Sequence, residues 1–219
     1  MDATSGRFLT LEGMEGAGKS TNLAFICDYL DAAGIDFLVT REPGGTPRAE
    51  VIREVLLSVQ DEPLNACAEL LLIFAARAQH IAEVIEPALS AGRWVVCDRF
   101  TDATYAYQGG ARGLGFAVVE QLETLVQDKL RPDVTIFLDV PVEVSVERTR
   151  SRGALDRFER EPAEFFQRVR DAYLTRVAGA PHRYRVVDAN QPLRAVQNDL
   201  KVLLDLLLAG AGKNDCSRS

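Results

Sequence analysis

Apolar residues recur along the chain in two periods. Five short runs, RFLTLE (Arg7 to Glu12), DFLVT (Asp36 to Thr40), RWVVCD, PDVTIFLDV and RYRVVD, are apolar nearly throughout and read as β-strands. The stretches between them carry apolar residues at helical spacing. After the first strand these are Leu23, Ile26, Cys27 and Leu30, ending at Gly34; a second helix is expected over about Arg48 to Val59. The segment from Asn65 predicts one long helix ending at Gly92, with Pro87 near its last turns. Strands without polar alternation, separated by helix-length segments, imply a parallel sheet covered on both faces, hence an α/β doubly wound fold with five strands. Neither a repeat nor a linker interrupts this order, so a single domain over residues 1–210 is expected. The small, polar residues 211–219 follow as a frayed tail.

In such sheets ligands sit beyond the carboxyl ends of the strands. After the first strand comes GMEGAGKST, in which Gly13, Gly18, Lys19 and Ser20 hold the fixed places of the pattern G-x-x-x-x-G-K-[ST]. A loop of this kind cradles a polyphosphate with backbone N–H groups, its lysine reaching the β and γ groups and its hydroxyl a Mg²⁺ ion. Residues 13–21, namely Gly13, Met14, Glu15, Gly16, Ala17, Gly18, Lys19, Ser20 and Thr21, are therefore the candidate ATP site. Glu15 is an anomaly there, a negative charge inside a loop built for anions. After the third strand stand Asp98 and Arg99, a carboxylate suited to Mg²⁺ beside a guanidinium suited to a phosphate. Arg41 follows the second strand, next to a proline and two glycines, where a loop can move around a small substrate. Arg148, Arg150, Arg152, Arg157 and Arg160 crowd one segment, the candidate for a mobile lid over about 148–160 that brings positive charge to a transferring phosphoryl group.

Composition narrows the partners. With 219 residues, 47% of them hydrophobic, the chain can bury one sizeable core, and its net charge of −7 argues against nucleic acid or an anionic membrane surface as the main partner. No apolar run is long enough to span a bilayer, and MDATSGRF lacks the features of a secretion signal, so a cytoplasmic protein is expected. The cysteines Cys27, Cys67, Cys97 and Cys216 form no C-x-x-C pair and read as buried thiols; His80 and His182 read as structural.

The segments FLTLEGMEGAGKST, TREPGGT, AELLLIFAARAQH, CDRFTDATYAYQGGARG, RPDVTIFLDVPVEV and SRGALDRFE, in this order and over nearly the whole chain, resemble the thymidylate kinases of the bacterial kind, whose catalytic arginines lie in the lid. The resemblance implies a P-loop NTPase fold and transfer of the γ-phosphoryl group of ATP to dTMP, with Mg²⁺, in the route to dTTP, by a homodimer. It implies catalytic roles for Lys19, Arg99, Arg152 and Arg157, with Arg148 a further lid candidate, and a metal site at Ser20 and Asp98. For dTMP it implies Arg41 and Arg99 at the phosphate, Arg77 and Thr104 at the edge of thymine, Tyr107 against the deoxyribose, and Gln108 nearby. Asp188 to Gln191 would border adenine.

Two positions depart from the commonest family pattern. The aromatic residue that stacks on thymine usually stands where Ile73 is, with Phe74 next to it, and helical spacing lets either face Arg77's side; Phe74 is taken as the candidate. Ala103 replaces a frequent serine. The family also offers a role for Glu15, as acceptor of the sugar 3′-hydroxyl of dTMP. Rival functions are another P-loop nucleotide or nucleoside kinase, a GTPase and a non-catalytic nucleotide-binding protein. The GTPase is disfavoured because no N-K-x-D motif is present.

Overall fold

The computed structural model describes residues 6–151 and 156–211. β1 (Phe8–Glu12), β2 (Phe37–Arg41), β3 (Trp94–Asp98), β4 (Val134–Asp139) and β5 (Tyr184–Asp188) form one parallel sheet in the order β2-β3-β1-β4-β5. The three inner strands are buried almost end to end and the edge strands β2 and β5 only in part, which is why the inner runs are the most apolar. Alternate residues of β3 serve opposite faces. Trp94 and Val96 join Leu11, Ile26, Ile136 and Leu200 in the larger core, whereas Val95 and Cys97 pack with Phe8, Ile81, Ile85 and Phe100 on the other side. Each such aliphatic or aromatic side chain contributes about 1.5–3 kcal/mol by leaving water.

The helices are α1 (Lys19–Ala32), α2 (Pro47–Leu57), α3 (Ala66–His80), α4 (Glu86–Ser90), α5 (Thr101–Thr104), α6 (Phe116–Gln127), α7 (Val142–Arg150), α8 (Ala163–Gly179) and α9 (Leu193–Ala211). Thr46 caps α2, its hydroxyl accepting from Ala49 N–H at 3.1 Å, and Asn65 caps α3. The single long helix expected up to Gly92 is instead α3 and α4 joined by a π-helical turn, Ile81–Ile85. Pro87 supplies the reason: it has no N–H and its ring presses on the preceding turn. The ladder loosens ahead of it, with Glu86 N–H reaching back five residues to the Ile81 carbonyl. A second π-helical segment, Tyr105–Ala111, continues α5. It packs on α8 at Gly110, where a Cβ would come within 2.6 Å of Ala172 Cβ.

Register brings five charged strand ends to one edge. Leu11 and Arg41 both pair with Asp98, Glu12 pairs with Phe137, and Asp139 pairs with Asp188. Among the described residues no helix is long and apolar enough to cross a membrane. Of the thiols, Cys97 is buried as expected, but Cys27 is only half-buried and Cys67, in the first turn of α3, is exposed; Cys216 lies outside the described residues.

Candidate active site

From Glu12 the chain turns through the glycine-rich loop and enters α1 at Lys19. Gly16 has a left-handed backbone (φ 73°), and a Cβ there would meet the Ser145 carbonyl at 2.5 Å, so this position requires glycine twice over. No acidic residue stands in the first turn of α1, leaving the positive end of the helix dipole uncompensated. Lys19 Nζ donates to the carbonyls of Gly13 and Met14, at 3.1 and 2.9 Å, and so curls over its own loop. Burial lowers its ammonium to about 8, helped by Arg99 and opposed by Asp98 and Glu15. Ser20 and Thr21 are exposed and, with Lys19, line a cleft of about 360 Å³. An adjoining recess of about 350 Å³ reaches Ala189 and Gln191 after β5. Arg148 spans the recess, donating to the carbonyls of Gly16 and Ala189 at 3.4 and 3.0 Å.

Glu15 points away from this cleft. Its carboxylate accepts from Arg99 Nη2 at 2.7 Å and from the Tyr107 hydroxyl at 2.5 Å, while its carbonyl accepts from Ser145 Oγ at 2.6 Å. Burial alone would push the Glu15 carboxyl up; Arg99, Lys19 and the Tyr107 hydroxyl outweigh it and hold the group below the usual carboxylate range. Arg99 is one of two non-glycine residues with positive φ among the described residues, 67°. A left-handed residue costs about 1–2 kcal/mol. That cost is offset by its N–H on the Leu11 carbonyl at 3.0 Å, its pair with Glu15, and its guanidinium 5.0 Å over the Tyr107 ring. Beneath it, Glu12 accepts from Phe100 N–H and the Tyr173 hydroxyl, each at 2.7 Å. Burial and the nearby Asp102 raise the Glu12 carboxyl to about 8.

The wall opposite the loop is built from long-range pairs. Arg77 is buried on α3; its Nε donates to Glu42 at 2.7 Å and its Nη2 to Thr104 Oγ1 at 2.8 Å. The other oxygen of Glu42 meets His80 Nδ1 at 3.0 Å, and His80 Nε2 meets Thr40 Oγ1 at 2.6 Å, so His80 is structural, as expected. The REPGG turn is thereby anchored from below at Glu42, while Arg41 stands half-exposed at its rim, paired with Glu50 at 2.7 Å. One cavity of about 220 Å³ runs from Lys19, Asp98 and Arg99 to Arg77, Thr104 and Tyr107, and Glu15, Arg41 and Gln108 also line it.

Three expectations need correction or relocation. Phe74 does not line the cavity; Ile73 does. Phe74 turns into the contact with Leu70, Tyr105 and Val119, its ring lying 4.7 Å beneath the Arg77 guanidinium. Arg157 does not line the cavity either. It pairs with the buried Glu69 at 2.7 Å and donates to the Leu56 carbonyl at 2.8 Å, because a carboxylate without exposure draws the nearest guanidinium. Arg152 lies outside the described residues, as does the polar tail beyond Ala211. The residues missed from sequence are Glu12, Glu42, Glu69 and Tyr173. A signal existed for Glu69, which shares an apolar helix face with Ile73, Ala76 and His80 at spacings of four, seven and eleven.

Known proteins similar to this chain belong to one family. The thymidylate kinase family model matches residues 11–200. Thymidylate kinase of Pseudomonas fluorescens is 59% identical over 207 residues, covering 94% of this chain and 99% of the relative. That of Chromohalobacter salexigens is 59% identical over 208 residues (94% and 98%), and that of Teredinibacter turnerae 55% identical over 204 residues (93% and 100%). A family match and near-complete relatives, on a chain whose phosphate loop opens into a cavity lined by arginines, place this chain in the thymidylate kinase family.

Proposed function

We propose that the chain transfers the γ-phosphoryl group of ATP to dTMP, giving dTDP, in the cytoplasm and as a homodimer. The observation that carries this reading is the cavity joining Lys19 and Asp98 to Arg77, Thr104 and Tyr107, because Lys19 also lines the cleft at Ser20 and Thr21 and phosphoryl transfer needs donor and acceptor brought into line at a shared point. On the donor side the loop N–H groups and the end of α1 take the phosphates, and Lys19 leaves its own carbonyls for the β and γ groups. The recess at Arg148, Ala189 and Gln191 takes adenine.

On the acceptor side Arg99 and Arg41 take the dTMP phosphate, and the buried Nη1 of Arg77, without a partner among the described residues, is a donor for a carbonyl of thymine. Ile73 covers the base. Glu15 keeps lone pairs beyond those given to Arg99 and Tyr107, enough to accept the sugar 3′-hydroxyl. The residues also fit Mg²⁺: Asp98 ends β3 in the cavity with a buried Oδ1 that has no partner among the described residues, and Ser20 faces the cleft beside Lys19. When bound there, the ion neutralises charge on the phosphates. The homodimer reading is supported by α2, α3 and α6, which pack together and expose Val55, Leu71 and Leu125.

A coupled ADP-release assay across dTMP, dUMP, dCMP, AMP and thymidine tests the substrate. dTMP is expected to give the highest kcat/KM, and a preference for thymidine or AMP would overturn the reading.

A further inference from the structure

Glu69 is a carboxylate on an apolar helix face with no exposure, and a buried charge is retained only where its partners compensate it. Its partners come from three places. Gln108 Nε2 donates at 2.7 Å from the second π-helical segment, Arg112 Nε at 3.3 Å from just beyond it, and Arg157 Nη1 lies at 2.7 Å. Arg112 in turn pairs with Glu161 at 2.6 Å. The short segment between Arg157 and Glu161 is thus fixed at one end to Glu69 itself and at the other to Arg112, which also donates to Glu69.

That segment and Gln108 occupy different walls of one cavity. Asp156, Phe158 and Glu159 line it, the Phe158 ring standing edge-on to Tyr107 at 5.9 Å, and Gln108 lines it from the acceptor side. The Asp156 carboxylate fixes the segment's turn by accepting from the N–H groups of Phe158 and Glu159, at 2.8 and 2.9 Å. Phe158 also lies under Arg157, 4.4 Å from the guanidinium carbon to the ring centre.

We propose that Glu69 is a positioning residue which ties the acceptor-pocket wall at Gln108 to the 156–161 segment, so that dTMP binding depends on that segment being held in place, and that Arg157 acts through Glu69. This rests on the reading of the cavity as the dTMP site. A carboxylate whose sole task was to stabilise the fold would leave ligand affinity unchanged in any variant that folds. A positioning carboxylate couples the two walls, and couplings of this kind are worth about fivefold or more in affinity.

The test is calorimetric titration of dTMP, without ATP, into the unmodified chain, Glu69→Gln, Arg157→Gln and the double variant, with circular dichroism to establish folding. Each single substitution is expected to weaken dTMP at least about fivefold, while the double variant is no more than about twofold worse than the poorer single, because both remove one link. A non-hydrolysable ATP analogue should bind all four alike. Unaltered dTMP affinity in Arg157→Gln overturns the proposal, and so do single effects that multiply in the double variant. If Glu69→Gln does not fold, Arg157→Gln alone decides, since its side chain is at the edge of the network and 18% exposed. Failure of the unmodified chain to bind dTMP overturns the substrate reading instead, an outcome distinct from normal binding by the variants.

Discussion

The phosphate loop and the acceptor pocket touch at Glu15, yet they hold their shapes by opposite means. The loop is local, made of consecutive residues whose left-handed glycines, Gly16 and Gly18, set its backbone. The pocket is assembled at a distance: Arg77 meets Thr104 and Glu42 across 27 and 35 residues, and Glu15 meets Arg99 and Tyr107 across 84 and 92. Backbone donors cannot be removed by changing a side chain, so a loop of this kind concentrates its vulnerability in the few side chains it does use. A pocket of paired charges spreads its vulnerability over the network, because removing one partner leaves the other buried and unpaired.

The largest expected effect therefore falls on Lys19. Lys19→Ala should lower kcat by about 10³-fold, at the upper end of what one preorganised charge donor supplies. Its fold should be retained, since among the described residues the lysine is bonded only to the Gly13 and Met14 carbonyls of its own loop. Circular dichroism and the coupled assay would then diverge; native-like turnover would break the comparison at its donor side.

The same lysine gives a test without mutation. Its ammonium titrates near 8 in the free protein, chiefly through burial, so raising the pH through 8 removes the charge that should meet the phosphates. The pH profile of kcat/KM, which reports the free enzyme, should fall on its alkaline side and be about tenfold down at pH 9. Bound phosphates favour the charged lysine, which moves the corresponding limb of kcat to higher pH. A kcat/KM profile flat to pH 9.5 would show that Lys19 is not needed as a cation.

This contrast also sets what sequence reasoning could see. Strand runs, the glycine pattern and the strand-end positions of Arg41, Asp98 and Arg99 are local signals, and they locate the sheet edge and the phosphate loop. Glu42 and Glu69 carry no local signal of what they pair with. Arg157 illustrates the consequence: among other arginines it reads as a charge for phosphates, and only the fold brings Glu69 to it. The first π-helical turn has a signal in Pro87, which a helix interior does not tolerate, although apolar period alone runs straight through it; the second, Tyr105–Ala111, carries no such marker.

Glu15 sits on the boundary of the two regions, and an isosteric change separates their claims on it. If its charge merely opposes the phosphates, Glu15→Gln should tighten ATP and leave dTMP unaffected. If the carboxylate serves the acceptor, glutamine gives up charge-assisted bonds to Arg99, Tyr107 and the 3′-hydroxyl, and kcat/KM for dTMP should fall about tenfold, roughly 1.4 kcal/mol. The 3′-deoxy analogue of dTMP is the control, because it should be poor with the unmodified chain and lose less in the variant. Equal losses for both would place the role of Glu15 in its bonds with Arg99 and Tyr107 and not with the 3′-hydroxyl.

The smallest effect is expected at the base. Ile73 and Phe74 are neighbours on α3, and the spacing of the helix cannot choose between them, but the structure gives them different surroundings. Ile73 lines the cavity, whereas Phe74 is packed under Arg77 against Leu70, Tyr105 and Val119. Ile73→Ala should therefore raise KM for dTMP by about three- to tenfold, the range for losing one or two methylene-sized contacts to a substrate, with little change in kcat. Phe74→Leu should act on stability, lowering the melting temperature by a few degrees as the ring under Arg77 is lost, and change KM less than Ile73→Ala does. An aromatic at the cavity wall sharpens the test, since Ile73→Phe adds a ring face against which thymine can stack, worth about 0.5–1.5 kcal/mol. If dTMP affinity rises in Ile73→Phe and falls in Ile73→Ala, residue 73 is the one over the base. If Phe74→Leu instead produces the larger change in KM, the assignment of Ile73 to the base fails and the acceptor pocket reaches deeper under Arg77 than its present lining.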